Sequence, residues 1–337
     1  MPWKGEKDPY RIWLSEVILQ QTRVEQGMGY YNNFISQYPD IGRLAQAPDA
    51  EVFKLWEGLG YYNRCRNLLF TARQIVDKFS GRFPDRYEDI LALKGVGPYT
   101  AAAISSFAYG LPHAVVDGNV FRVLSRFFGI EEPIDNTPGK HLFGELAEKM
   151  LYKKDPGSYN QAIMDFGAVV CKPVAPHCAG CPLQAECNAF ATGRMNQLPV
   201  KEKTLQRKQR WFYYFIFEYK GAICVHQRTA KDIWQGLNEF YLFESEKQVH
   251  WTGASVLQWL EEQTGVADAM LVHVSAPSVQ QLTHQQIRGQ FIRIKLRSKP
   301  AFLKKYQWQP AKRLRELAFP RFITQYLDLP QLQQTLF

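Results

Sequence analysis

Four of the six cysteines stand within seventeen positions, as Cys171-x6-Cys178-x2-Cys181-x5-Cys187, while Cys65 and Cys224 lie apart. No other feature narrows the fold as far, because four thiols so close in sequence belong to one short, loop-rich segment. A disulfide framework is not expected in a chain of 337 residues, which can bury an adequate core without staples. Four buried free thiols are the plain alternative. A metal site is the favoured one, and a single x2 gap flanked by x6 and x5 points to an iron–sulfur cluster over zinc, whose sites usually pair two Cys-x2-Cys knuckles.

Length allows roughly two domains. With 46% apolar residues, 22% charged residues and a mean hydropathy of −0.32, the chain reads as soluble and globular rather than disordered, collagenous or membrane-spanning. Met1 to Tyr10 is polar and charged, which predicts no leader peptide and an intracellular, cytoplasmic setting. The net charge of +9 is unevenly spread: residues 1–190 carry 20 basic and 21 acidic side chains, residues 191–337 carry 21 and 11. From Arg288 to Arg321 eleven basic residues face one acid, Glu316. Such a run suits a polyanion, with a merely solubilising face as the alternative. A near-neutral N-terminal half must instead hold any nucleic acid by placed donors.

Residues 8–190 read as helices punctuated by Gly and Pro. Asp8-Pro9 caps and opens a helix whose apolar residues Tyr10, Trp13, Leu14, Val17 and Ile18 share one face. Further helices are expected at 24–38, 51–59, 63–79, 99–109, 119–128 and 158–170. A basic stretch at 191–210 reads as a linker. Beyond it, 211–217, 222–227 and 290–297 read as strands and 254–263 as a helix, so 211–337 is a mixed α/β domain.

Two motifs carry chemistry. Leu93-Lys94-Gly95-Val96-Gly97-Pro98-Tyr99 joins a short helix to a longer one, a helix-hairpin-helix over 87–109. The amides of Gly95, Val96 and Gly97 at a helix N-terminus make an anion site that needs no lysine. Val116-Asp117-Gly118-Asn119 then places an acid ahead of another helix, where the bland reading is an N-cap and nothing more.

Hairpin, capped acid and cysteine spacing together resemble the helix-hairpin-helix DNA glycosylases that include endonuclease III, and within them the MutY-type adenine DNA glycosylases. Asp8-Pro9-Tyr10, Trp13-Leu14-Ser15-Glu16-Val17-Ile18-Leu19-Gln20-Gln21-Thr22 and Gly58-Leu59-Gly60-Tyr61-Tyr62 are similar to that family too. The resemblance implies an all-α glycosylase domain with a 4Fe-4S cluster on Cys171, Cys178, Cys181 and Cys187. It implies removal of adenine mispaired with 8-oxoguanine or guanine in double-stranded DNA, by a monomer. Glu16 is then the acid that protonates adenine and Asp117 the carboxylate that stabilises the cationic sugar, with Tyr99 and Asn119 holding the geometry. The flipped base must leave the duplex to reach them. Tyr99 stands where the lysine-bearing branch has its Schiff-base lysine, so a monofunctional enzyme is implied. Trp3 and Leu19 resemble pocket walls, Gln21 and Tyr61 residues that wedge into the stack, Thr22 and Leu59 contacts to the partner base, and Lys172 and His177 phosphate contacts.

The second domain resembles the Nudix-like domain by which the family recognises 8-oxoguanine. With Gly265 as the last glycine of the Nudix box, only Glu262 survives of its four glutamates, which favours recognition over hydrolysis. Leu282-Thr283-His284 resembles the family's Phe-Ser-His loop, so Thr283 and His284 are implied as readers of the damaged base. Lys4 and Gln161 depart from residues found in some members, Arg and Glu respectively. A second expectation, of another class, is therefore a DNA-binding protein with weakened catalysis, and a third is a thymine-mismatch glycosylase.

Overall fold

In the computed structural model, residues 4–202 and 207–329 are described; Trp3, implied above as a pocket wall, lies outside them. The chain forms two compact units, one from residues within 1–47 and 64–204, the other from 48–63 and 205–337. No helix among the described residues is long and apolar enough to cross a membrane.

The first unit is helical: α1 (Pro9–Leu19), α2 (Val24–Gln37), α3 (Ile41–Gln46), then, past α4 (Asp49–Leu55) of the other unit, α5 (Asn63–Phe79), α6 (Tyr87–Leu91), α7 (Pro98–Tyr109), α8 (Gly118–Phe128), α9 (Thr137–Met150), α10 (Pro156–Val169) and α11 (Asn188–Ala191). Helix starts follow local chemistry. Asp8 caps α1 by accepting from the Tyr10 amide at 2.9 Å, Asn136 caps α9 and Asp155 caps α10, each followed by Pro in the first turn. Gly110 and Gly129 end α7 and α8 in the left-handed conformation. The core between α7, α8 and α9 is built on Ala102, Ala103, Val120, Leu124 and Phe143. Small alanines on α7 let its neighbours approach closely.

In the second unit α4 precedes a mixed sheet of β1 (Lys208–Tyr219), β2 (Ala222–Gln227), β3 (Asn238–Glu239), β4 (Tyr241–Ser245), β5 (Met270–Val274), β6 (Ser278–Gln281), β7 (Gln285–Lys295) and β8 (Gln307–Pro310), with α12 (Gly253–Thr264) and α13 (Arg321–Leu327). The spatial order is β3-β2-β1-β7-β5, with β4 on β1, β6 on β7 and β8 on β2. β1 runs parallel to β7 from Lys208↔Gln285 to Glu218↔Lys295. Trp259 of α12 stacks on Phe215 at 4.5 Å, fixing the helix to an aromatic sheet face.

Helices α3, α9, α11 and α13 and five short strands lie outside the expected elements, and the helix expected at 51–59 is α4, ending at Leu55. β1 begins at Lys208, inside the stretch read as a linker. There Arg210 is drawn into the sheet by Asp232 and Glu244, each at 2.7 Å. Leu198 is buried, and the Val200 carbonyl accepts from Ile134 at 3.1 Å, so part of that stretch packs on the first unit.

Candidate active site

Glu16 lies in the last two turns of α1 and is half-buried. Burial raises its pKa to about 7, the nearby Asp117 charge adds to the rise, and a hydrogen bond from Tyr99 partly offsets both. Tyr99, in the first turn of α7, is itself pushed well above the ordinary tyrosine value by burial and by the charges of Glu16 and Asp117. Its hydroxyl also touches Met164 Sδ at 3.6 Å. Asp117 caps α8: Oδ1 accepts from the Asn119 and Val120 amides, both at 2.8 Å, and Oδ2 accepts from Asn119 Nδ2 at 2.7 Å. The structure therefore brings Glu16, Tyr99, Asp117 and Asn119 together from three helices. It gives them unlike environments, a carboxyl near neutral pKa beside one held by three donors, and unlike carboxyls are what acid and electrostatic stabiliser require.

Buried arginines absent from the sequence expectations hold this set in place. Arg64 donates to the Val17, Ile18 and Gln20 carbonyls at 2.9, 2.9 and 2.6 Å, satisfying the open C-terminus of the helix that carries Glu16. Arg122 donates to Asn119 Oδ1 at 2.8 Å, to the Gly167 carbonyl at 2.7 Å and, through Nε, to the Cys171 carbonyl at 2.7 Å. One turn on, Arg126 donates to the Lys172 carbonyl at 2.7 Å and touches Cys171 Sγ at 3.4 Å. Helix α8 thus carries Asp117 at one end and grips the cysteine segment along its length. α10 approaches so closely that a β-carbon on Gly167 would stand 2.7 Å from Asn119 Cβ. Asn160 joins the Val115 amide, Ser106 Oγ and the His113 carbonyl at 3.2, 2.9 and 2.8 Å, fixing the segment that leads to Asp117. The one signal for Arg122 and Arg126 is their i, i+4 spacing among buried apolar residues of a helix that follows a capping acid.

The four clustered thiols line one cavity of about 40 Å³, with Arg126 and His177 in its wall. Burial and the three other thiols raise the Cys178 pKa. Among the described residues no three His, Cys, Asp or Glu side chains could hold a metal ion as placed. Thiolates sharing one zinc would lie only about 3.8 Å apart, whereas a cluster binds them one per iron around a larger body. A cavity ringed by four soft thiols fits the second case.

At the hairpin, Gly95 has φ +79°, and a β-carbon there would strike Asn67 at 2.7 Å. Val96 differs from expectation: its side chain is buried and its amide is spent on the Leu93 carbonyl at 3.1 Å, closing the turn. Of the three amides expected to face an anion, those of Gly95 and Gly97 have no protein partner among the described residues. Gln21 and Thr22 follow directly on α1, Gln21 exposed with φ +56°. Leu19 packs against α2 at Gly27. Lys172 is half-buried and His177 exposed. Gln161 Nε2 donates to Asp165 Oδ1 at 3.0 Å, and Asp165 pairs with Lys4 at 2.6 Å, so a carboxylate stands one turn beyond Gln161.

The second unit holds the rest. Tyr61 has φ +49° and is 43% exposed. Gln21 and Tyr61 share the left-handed conformation with Ser80, Ala175, Lys220 and Trp234, so it shapes their turns without singling them out. Leu59 is buried, its side chain directed into the unit. Thr283 and His284 sit at the tip of the β6–β7 hairpin, closed by the Leu282 amide on the Gln285 carbonyl at 2.8 Å, and the Thr283 hydroxyl is hydrogen-bonded to that of Tyr61.

Residues 14–152 match the HhH-GPD superfamily of base excision DNA repair proteins, and residues 212–329 the NUDIX domain. The adenine DNA glycosylase of Buchnera aphidicola subsp. Baizongia pistaciae (strain Bp) is 35% identical over 265 residues, covering 78% of this chain and 72% of its own length. That of Homo sapiens is 40% identical over 208 residues, covering 59% and 38%. Among solved structures, a thermostable thymine-DNA glycosylase superposes with a TM-score of 0.53 at 31% identity, over 57% of this chain and 88% of that one. A non-covalent endonuclease III–DNA complex, at 24% identity and a TM-score of 0.50 over 56% and 87%, shares the fold. Fold and relatives converge: the chain belongs to the adenine DNA glycosylases, the DNA N-glycosylases of base excision repair.

Proposed function

We propose that the chain removes adenine mispaired with 8-oxoguanine or guanine in double-stranded DNA, hydrolysing the N-glycosidic bond and leaving an abasic site without strand cleavage. The observation that carries this reading is the Glu16 carboxyl, whose pKa near 7 keeps much of it protonated at neutral pH, hydrogen-bonded to Tyr99 and close enough to Asp117 to feel its charge. Glu16 gives its proton to the leaving adenine. As the C1′–N9 bond lengthens, positive charge grows on the sugar, and Asp117 stabilises it while Asn119 and the α8 amides hold the carboxylate in place. Water then adds at C1′, and Glu16 is restored to its protonated form from solvent. Tyr99, at the Schiff-base position, has no amine with which to open the sugar.

Gly95 and Gly97 hold a backbone phosphate, with Lys172 and His177 as further phosphate contacts. Gln21 and Tyr61 fill the stack where the bases part, Thr22 and Leu59 line the partner base, and Leu19 walls the adenine pocket. Thr283 and His284, on the hairpin beside Tyr61, read 8-oxoguanine. Cys171, Cys178, Cys181 and Cys187 hold a 4Fe-4S cluster, which when bound fixes the loop that Arg122 and Arg126 grip. The protein works as a cytoplasmic monomer on the bacterial chromosome.

The deciding experiment is a single-turnover assay on duplexes with A opposite 8-oxoguanine, A opposite G, A opposite T, and T opposite G, with and without alkali. Breaks at adenine only after alkali, fastest opposite 8-oxoguanine, are the expected result. Breaks without alkali would remove the monofunctional reading. Thymine release from T opposite G would move the chain toward the activity named for its structural relative, and tight binding with no release would make it a binding protein.

A further inference from the structure

We propose that the far end of the C-terminal sheet is a second DNA contact, a sequence-independent seat for the phosphate backbone of a duplex, apart from the hairpin tip at Thr283 and His284. The basic surplus of the sequence gathers there. β1 and β7 run parallel and finish together at Glu218↔Lys295. At that end the β1–β2 turn supplies Lys220, and the end of β7 with the residues after it supplies Lys295, Arg297 and Lys299; Lys304 and Lys305 follow on the same segment, just before Tyr306, whose ring meets His226 of β2 at 4.4 Å, and all six are exposed. Among the described residues none of the six is in an ion pair. Between Lys295 and Arg315 the sequence has no acid at all. The acids from neighbouring elements are few: Glu218 is engaged by Arg293 at 3.6 Å, and Asp268 lies two residues before Met270, the strand partner of Lys295.

The cluster is built rather than merely charged. Tyr219 and Trp308 meet edge to face at 6.2 Å, and Lys299 stands over both rings, 5.9 and 5.2 Å from their centres, while Lys220 lies 5.4 Å from Tyr219. The aromatic pair holds two ammonium groups side by side without neutralising them, and each ammonium keeps its remaining donors outward. Adjacent fixed cations with no acid between them match the repeated charge of a phosphate backbone. The eleven residues of β7 separate this end from the hairpin tip by about 33 Å at about 3.3 Å per residue, nearly one turn of B-DNA. A seat at that distance adds affinity and sliding contact without reading bases.

The test is the salt dependence of binding by the full-length protein to an undamaged duplex of about 30 base pairs, which leaves mispair recognition out of the readout. Each phosphate contact contributes about −0.9 to the slope of log K against log salt. The variant K220Q/K299Q/K304Q/K305Q is expected to lose about two or more from the magnitude of that slope, and at least about ten-fold in affinity at low salt. The charge-keeping variant with arginine at the same four positions is expected to retain the wild-type slope, with circular dichroism confirming the fold of both. K78Q/K140Q/K149Q/K153Q, the same change in charge on helices of the first unit and the loop after α9, is expected to move the slope little. An unchanged slope in the first variant, or an equal loss in the first and the last, would overturn the proposal and leave only net charge.

Discussion

In the proposed mechanism the Glu16 carboxyl sets the rate, and the same group bears on stability. With its pKa raised from 4.5 to about 7, the folded protein binds more protons than the unfolded chain between those values, so stability falls as pH rises through that window. The full penalty, about 3 kcal/mol at about 1.4 kcal/mol per unit, is present above pH 7 and absent below 4.5. Glu16→Gln is therefore expected to be more stable than wild type at pH 8 and equal to it near pH 4.5, by urea denaturation, while base release drops at least a hundred-fold and duplex binding persists. Wild-type release rates should fall as pH rises past about 7, when the acid is lost. Release by the variant at the wild-type rate would take Glu16 out of the mechanism. Arg122 makes the complementary case. Arg122→Met leaves Asn119 Oδ1 and the Gly167 and Cys171 carbonyls without their donor, at about 1 kcal/mol or more each, so a loss near 3 kcal/mol is expected together with slower excision. An unchanged denaturation midpoint and rate would mean that α8 does not depend on this side chain.

At the scale of elements, the chain's punctuation was legible where capping and glycine chemistry are local. Asp8-Pro9 opens α1 and Asp117 caps α8 as the residue types require. What escaped were contacts made at a distance. Arg64 serves α1 across more than forty positions, Arg122 serves the cysteine segment, and β3 to β6 and β8 are too short to carry an alternating pattern. Val96 was misjudged because a turn's own hydrogen bond competes with a ligand for the same amide. The hairpin now separates two glycines that look alike in sequence. Gly95→Ala meets a positive φ and the Asn67 side chain at once, and is expected to cost about 1–3 kcal/mol and to weaken duplex binding. Gly97→Ala has φ −98° and open space for its methyl group, and should keep the thermal midpoint within a degree or two. Equal midpoints for the two variants would mean that Gly95's strain is absorbed elsewhere.

The whole molecule is divided in space differently from its order along the chain. The segment 48–63, early in the sequence and bearing Tyr61, belongs to the unit formed mainly by the last third of the protein. Its anchors are specific: Lys54 Nζ donates to the Leu317 carbonyl at 3.2 Å, Glu57 Oε1 accepts from the Phe319 amide at 2.8 Å, and Phe53 lies where a β-carbon on Gly236 would touch its ring at 3.0 Å. Buried Trp56 holds the Gly60 carbonyl at 3.0 Å and so shapes the turn that presents Tyr61. A linear reading, with a complete helical domain ending near residue 190, makes a protein cut after residue 202 a self-sufficient piece. The contacts argue otherwise, because such a fragment keeps the helices around Glu16 and Asp117 but leaves Phe53, Lys54 and Glu57 without their Gly236, Leu317 and Phe319 partners. Limited trypsin digestion is expected to cut the fragment quickly after Lys54, a bond protected in the full chain, while the α5–α10 segment resists in both. The fragment should also lose discrimination between lesion and undamaged duplex more than it loses the arrangement around Glu16 and Asp117, since Thr283 and His284 are removed and Tyr61 stays without its Thr283 partner. Equal protection of Lys54 in fragment and full chain would show that the segment folds without the second unit, and would restore the linear division.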